Sequence, residues 1–408
     1  MPEKANSQLI RTINEKRLLN LIREKGPISR NGLANLTKIS KVSVSSIINR
    51  LDKDGFILEI GKGESTSKGG KRPTLLKLNP DNGYVIGLQI KRSIITIVLA
   101  NIESEIKGIT QLSYEIDASI DEVISNIFIK IDYLFHKNNI PLEKLVSIGI
   151  GVPGIIDYIK GELKYAVTLR EWVNLPLASR FSAQYNVPTI IENDVKAITL
   201  VESLYGSGRC YSNIACVMIE SGIGCGIFLN GQLVRGETGN SGEIGYFEIH
   251  NCTNNNDTLD EMYGNHMHIG ELFSEVNLSN TLKKKMQTNQ SVSEKDLEHF
   301  DLKDLLMFGE KGNKGVQEIL NELAYPLAIV CMNLIKTLNP GQIIMCGSVI
   351  NNSSYLFNKI EEIVQKKMKR VPFESCKIVV GELKDKAGLI GSITLALQTI
   401  FEQPVKHT

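Results

Sequence analysis

The chain has 408 residues, 42% hydrophobic and 22% charged, enough to bury at least one sizeable core and of a length that suggests two or three ordinary units. Its start, MPEKANSQLIRTINEKR, is polar, and no later run approaches the ~18 uninterrupted apolar residues of a membrane span, which argues against export and membrane insertion and for a cytoplasmic protein. The net charge of +1 hides an asymmetry: residues 1–80 carry 16 Lys/Arg against 7 Asp/Glu and the rest 30 against 38, a basic head on an acidic body, as expected when one end touches a phosphate backbone.

From Asn14 to Lys25 the apolar positions Leu18, Leu19 and Ile22 follow helical spacing, and Gly26-Pro27 stops the run. Ser29 is placed to cap a second short helix carrying Leu33, Ala34 and Leu36. After a break at residues 37–40, a third helix holds Val44, Ile47, Ile48 and Leu51 on one face. Three short helices with a tight second turn make a helix-turn-helix. The opposite face of the third helix presents Lys41, Ser43, Ser46, Asn49 and Arg50, residue types that read base edges or hold phosphates and that also suit an ordinary solvated face. The segment FILEIGKGESTSKGGKRPTLLKLN then reads as a β-hairpin wing. Its tip, with Lys68, Lys71 and Arg72, suits a narrow minor groove, and equally a flexible solubilising linker.

In the body, Tyr84 to Ile90, Ile94 to Ile102 and Ile106 to Ile116 read as strands, followed by a helix over 120–137 and a strand at Leu145 to Ile150. A similar order recurs after Asn213, through ACVMIE, GCGIFLNG, Gln232 to Arg235 and the later strand Ile343 to Cys346. Two similar α/β units in tandem suggest a duplicated, two-lobed fold with a ligand cleft between lobes. The expected division is a winged helix-turn-helix at 1–80, a first lobe at 81–200 and a second at 201–408. The seven cysteines are widely spaced with no CxxC pair, so neither a disulfide framework nor a Cys-rich zinc module is signalled.

The stretches ISRNGLANLTKISKVSVSSIINRL and GGKRP in the head, and GIGVPGIID, IIENDVKA, ESGIGCGIFLNG, GNSGEIGY and LNPGQIIMCGS in the body, resemble the ROK family of bacterial repressors and sugar kinases, in particular its xylose-repressor branch. The resemblance covers nearly the whole chain. It implies an α/β, actin-like (ribonuclease H-like) sugar-kinase fold with an N-terminal winged helix-turn-helix.

Family kinases open the body with Asp-x-Gly-x-Thr, where the acid manages metal and phosphates; here those positions read Gln89-Ile90-Lys91-Arg92-Ser93, so charge and steric room for a triphosphate are impaired. Catalysis and ATP binding are therefore not expected. The glycine loop Gly222-Ile223-Gly224-Cys225-Gly226 keeps its spacing, which serves a tight strand reversal as well as a phosphate. On the sugar side the resemblance implies that Asn193 and Asp194 bind the sugar, with Asp194 aligned to the kinase base. Asn193-Asp194 also suits a helix N-cap. Glu243 and Glu261 match further sugar ligands. Tyr246 stands where the family has a zinc-binding histidine and is placed with the sugar residues, and Cys252 is the one thiolate where three are wanted, so no metal is expected. His266 and His268 read as surface residues. Trp172, the only tryptophan, suits either a sugar-stacking face or a core.

The expected function is a sugar-responsive repressor of carbohydrate genes, with xylose favoured by the resemblance. It would act as a homodimer, or dimer of dimers, on a palindromic double-stranded DNA operator. The alternatives are an ATP-dependent sugar kinase with an accessory DNA-binding head, and a DNA-binding protein whose body only dimerises.

Overall fold

A computed structural model describes residues 2–63, 72–169, 171–249, 267–288, 297, 299–369 and 376–401. The head opens with helix α1 (Pro2–Lys25), which begins before the Asn14 start that periodicity predicts. Strand β1 (Ile28–Ser29) leads into α2 (Arg30–Thr37), whose first turn is capped by Ser29 Oγ accepting from the Gly32 N–H at 3.1 Å, as the sequence predicts. Lys38 closes α2 in the left-handed region at φ 62°. Helix α3 (Lys41–Lys53), capped by Ser40, buries Val44, Ile47, Ile48 and Leu51. Strands β2 (Ile57–Lys62) and β3 (Thr74–Leu78) form the wing, and β1 extends the sheet along β3. Lys68 and Lys71, expected at the wing tip, lie outside the described residues.

Strands β4 (Tyr84–Ile90), β5 (Ile94–Asn101) and β6 (Ile106–Ser113) form an antiparallel meander. After α4 (Ile120–Lys137), β7 (Leu145–Val152) returns parallel to β4. Strands β8 (Ile155–Asp157) and β9 (Glu162–Tyr165) and helix α5 (Leu177–Tyr185) precede β10 (Thr189–Asn193), which completes the sheet order β10-β7-β4-β5-β6.

Helix α6 (Asp194–Leu204) begins a second copy. Strands β11 (Ile214–Ile219), β12 (Ile223–Leu229) and β13 (Gln232–Val234) make another antiparallel meander. Short strands β14 (Glu248–Ile249) and β15 (Met267–His268) pair with each other. Helices α7 (Ile269–Leu272), α8 (Glu275–Thr288), α9 (Leu302–Glu310) and α10 (Lys314–Leu338) come next. Then β16 (Gln342–Cys346) lies parallel to β11, and after α11 (Ser348–Asn351) and α12 (Ser354–Met368), β17 (Lys377–Val380) lies parallel to β16. The order β13-β12-β11-β16-β17 repeats that of the first sheet, strand for strand. Helix α10 is long and apolar enough to cross a membrane, but 67% of its most apolar stretch is buried, and Val316, Leu320, Leu327 and Cys331 join the core beneath the second sheet.

The final helix, α13 (Ala387–Phe401), explains how the chain divides. Two compact units form: one holds residues up to 152, 158–192 and those from 392 on; the other holds 153–157 and 193–391. The head therefore falls in one unit with the first sheet, and the second unit starts at Asn193 apart from residues 153–157. The cause is local packing. A side chain at Gly149 would strike Ser392 and Ala396, so the end of α13 lies directly on β7. It also holds α1: Lys16 Nζ donates to the Thr399 carbonyl at 2.6 Å, and the Arg23 guanidinium sits 4.1 Å above the Phe401 ring.

Candidate functional site

The strand-to-helix junction at β10 and α6 sets up the site. Asn193 is the N-cap of α6: its Oδ1 accepts from the Lys196 N–H at 3.1 Å, and its Nδ2 donates to the Gly154 carbonyl at 3.0 Å. The capping reading of Asn193 is thus met, and its amide ties the junction to the turn before β8. Asp194 is only half-buried, and its Oδ1 accepts from the Val195 N–H at 2.8 Å. A carboxylate in the first turn of a helix is stabilised by the partial positive charge there.

Sequence reasoning missed Lys196. Only 2% exposed, it extends its ammonium to the Gly239 carbonyl at 2.8 Å and acts electrostatically on Glu243. Burial pushes the Glu243 carboxyl above its ordinary range and Lys196 pulls the other way. Two glycines make this possible. Gly239 (φ +85°) and Gly242 (φ +84°) occupy the left-handed region, and a side chain on either would run into a carbonyl, of Ile156 and Cys225 respectively. Gly242 also accepts from the Cys225 N–H at 2.9 Å, fixing the turn that delivers Glu243 against β12. Asn193, Asp194, Lys196 and Glu243 all belong to the second unit.

The glycine loop is decided residue by residue. A side chain on Gly226 would collide with Thr199, and one on Gly224 would meet Val195 at 3.0 Å, so both glycines let α6 lie flush on β12. Gly222 faces open space and has no such packing reason. Gln89 pairs within the sheet, and Lys91 and Arg92 are exposed in the turn between β4 and β5.

Three other expected sugar residues fare differently. Trp172 is 2% exposed, with its ring centroid 6.0 Å from that of Tyr114; its environment is a packed core, not a stacking platform. Tyr246 is 50% exposed and packs edge-on against His268, lining a recess of about 470 Å³ with Phe247, Ile269, Pro326 and Ile329. Glu261 lies outside the described residues, as do Cys252 and His266. For zinc the donor set is poor: at Tyr246 a phenol replaces the histidine, and the neighbouring His268 has Nδ1 3.1 Å from the Tyr246 carbonyl. Among the described residues no group of three or more His, Cys, Asp or Glu is placed to hold a metal.

On the head, Lys41, Ser43, Ser46 and Asn49 are exposed on α3, and Arg72 is exposed at the start of β3. Arg50 is half-buried and forms an ion pair with Glu15, tying α3 to α1. Asn49 Oδ1 accepts from Arg30 at 2.6 Å, and Arg30 also lies 3.5 Å from Glu59.

A winged helix-turn-helix on a body of two repeated α/β sheets, with a carboxylate-bearing site at the first turn of α6, defines a DNA-binding head joined to a sugar-kinase-like body. Residues 85–399 match the ROK family, and residues 11–57 match a winged helix-turn-helix DNA-binding domain. The chain belongs to the ROK family. It is 28% identical over 402 residues to the xylose repressor of Caldicellulosiruptor bescii, covering 98% of this chain and 99% of that one. The crystal structure of a ROK family transcriptional regulator, a homologue of the E. coli MLC protein, superposes with a TM-score of 0.81 at 23% identity, covering 96% of this chain and 97% of that one. A ROK family glucokinase from Streptomyces griseus, in complex with glucose and AMPPNP, gives 0.65 at 18% identity over 78% of this chain and all (100%) of its own.

Proposed function

We propose that the chain is a sugar-responsive DNA-binding transcriptional repressor without kinase activity. What supports this reading is the presence in one chain of a winged helix-turn-helix with an exposed face on α3, together with Asp194 in the first turn of α6 and a Glu243 that feels the buried Lys196 of the same turn; the resemblance adds Gln89 and Lys91 at the phosphate-loop positions. The full-length similarity to a protein named xylose repressor supports the same reading and favours a free aldopentose as effector. Asp194 and Glu243 accept hydrogen bonds from sugar hydroxyls, and Asn193 and Lys196 hold the surrounding backbone in place. Glu261 is assigned to the same sugar by the family resemblance alone. Tyr246 follows Glu243 by one short turn and is exposed, while Trp172 is a core residue and is not part of the proposed sugar site.

Sugar and operator are linked thermodynamically: a coupling of roughly 1–3 kcal/mol lowers operator affinity about 5- to 150-fold. Helix α13 is suited to carry it, because Gly391 packs against Ala197 of α6 and the far end of the same helix meets Lys16 and Arg23 of α1. A homodimer on a palindromic operator fits helix-turn-helix geometry. The test is a thermal-shift screen of free and phosphorylated sugars, followed by DNA-binding titrations with each hit. A sugar that stabilises the protein and weakens DNA binding is expected. Conversion of ATP and sugar to ADP and sugar phosphate, abolished by Asp194→Asn, would instead establish the kinase.

A further inference from the structure

The recognition helix carries a side chain that residue type alone did not single out. Val42, in the first turn of α3, is 81% exposed, the highest among the exposed large hydrophobics of the described residues. A β-branched residue adds nothing to a helix it does not pack. Val42, Ser46 and Asn49 follow i, i+4, i+7 spacing and so form one stripe, opposite the buried Val44, Ile47, Ile48 and Leu51. In helix-turn-helix proteins, the N-terminal part of this helix is what meets base edges.

The hydrogen bonds of the stripe fix which chemistry it presents. An adenine-reading asparagine needs both ends of its amide, the oxygen for N6–H and the nitrogen for N7. Here the Asn49 oxygen already accepts from the Arg30 guanidinium at 2.6 Å, which lowers its availability to adenine N6–H, and Arg30 is held in turn by Glu59 at 3.5 Å. Asn49 therefore presents chiefly its N–H donors. Beside the stripe, the Ser43 Oγ accepts from the Ser40 hydroxyl at 2.8 Å. The stripe therefore runs from the Val42 methyls to the Asn49 amide donors.

We propose that Val42 contacts the C5-methyl of a thymine in each half-site, and that Asn49 donates to a base-edge acceptor, preferring guanine O6/N7 or thymine O4 over the bidentate N6–H/N7 pairing with adenine. Arg30 is the positioning residue that sets this preference. The inference rests on the DNA-binding reading of the head.

The test begins with selection of duplexes from a random library by the full-length protein. Each thymine of the selected site is then replaced in turn by deoxyuracil, and affinity is measured by fluorescence anisotropy at fixed salt. In the wild type, one thymine per half-site should lose about fourfold on removal of its methyl, the worth of one buried methyl group. In Val42→Ala, whose exposed position leaves the fold intact, the same replacement should cost nothing. Arg30→Ala frees the Asn49 oxygen, and repeated selection should show the facing position move from guanine or thymine towards adenine, a change that mere loss of head stability does not produce. Equal deoxyuracil costs in wild type and Val42→Ala overturn the methyl contact. An unchanged base preference in Arg30→Ala overturns the role of Asn49. Failure of the wild type to enrich any sequence overturns the DNA-binding reading itself, and this inference with it.

Discussion

Replacing Lys196 with methionine probes the charge arrangement at the heart of the candidate site. Methionine has a similar reach but no ammonium, so the volume is largely kept. The wild-type side chain is buried and donates to the Gly239 carbonyl at 2.8 Å. Removing a donor from a buried carbonyl costs about 1–3 kcal/mol. At roughly 2–4 °C per kcal/mol for a unit of this size, a middle value of about 2 kcal/mol lowers Tm by roughly 4–8 °C. A pH dependence follows from Glu243. Its carboxyl is raised by burial, so the folded state holds the proton more tightly than the unfolded state. Stability is therefore lost as pH rises from the ordinary carboxylate range through the raised folded value. Without Lys196 the carboxyl rises further, so the deficit of Lys196→Met is greater at pH 8 than at pH 5. Adding Glu243→Gln to Lys196→Met removes the pH-dependent part, and the double-mutant cycle isolates it. Thermal melts of the four proteins at the two pH values measure this directly. A deficit identical at both pH values, and untouched by Glu243→Gln, would refute the proposed pairing of Lys196 with Glu243.

Asp194→Asn should weaken effector sugar binding about 10- to 150-fold in calorimetry, the worth of one hydrogen bond to a charged group, because Asp194 is half-buried beside the capped start of α6. Arg72→Ala should weaken DNA binding evenly across sequences and reduce the slope of log affinity against log salt by about 1, measured by anisotropy over a salt series. Gly226→Ala should destabilise the protein by roughly 1–3 kcal/mol in denaturant unfolding, since its methyl would collide with Thr199 on α6.

Much of the fold was legible because local periodicity reports burial. The stripe of Val44, Ile47, Ile48 and Leu51 is the buried face of α3, and the meander β4 to β6 starts where alternation predicts. The N-terminal part of α1 was not legible, since PEKANSQLIRTI carries no apolar stripe. The site was half-legible. Asn193, Asp194 and Glu243 were found through motif, but Lys196 in the first turn of α6 reads as an ordinary solvated cation, and its burial depends on Gly239 and Glu243 from a distant turn. The Arg50–Glu15 pair was hidden for the same reason: helical phase puts Arg50 on the polar face, and only tertiary structure brings Glu15 to it. Trp172 shows the limit of composition, since a lone tryptophan suits a core and a sugar platform alike until Tyr114 is seen against it.

The central claim is that one chain couples a sugar site at α6 to a DNA-binding head. Its most direct test is a fluorescence-anisotropy titration of the full-length protein onto a duplex it selects, with and without D-xylose, for wild type and Asp194→Asn. Xylose, or the aldose found in the thermal-shift screen, should weaken wild-type DNA binding by about 5- to 150-fold and leave Asp194→Asn bound to DNA at the same sugar concentration. Wild-type DNA affinity unmoved by any sugar that binds the protein would contradict it.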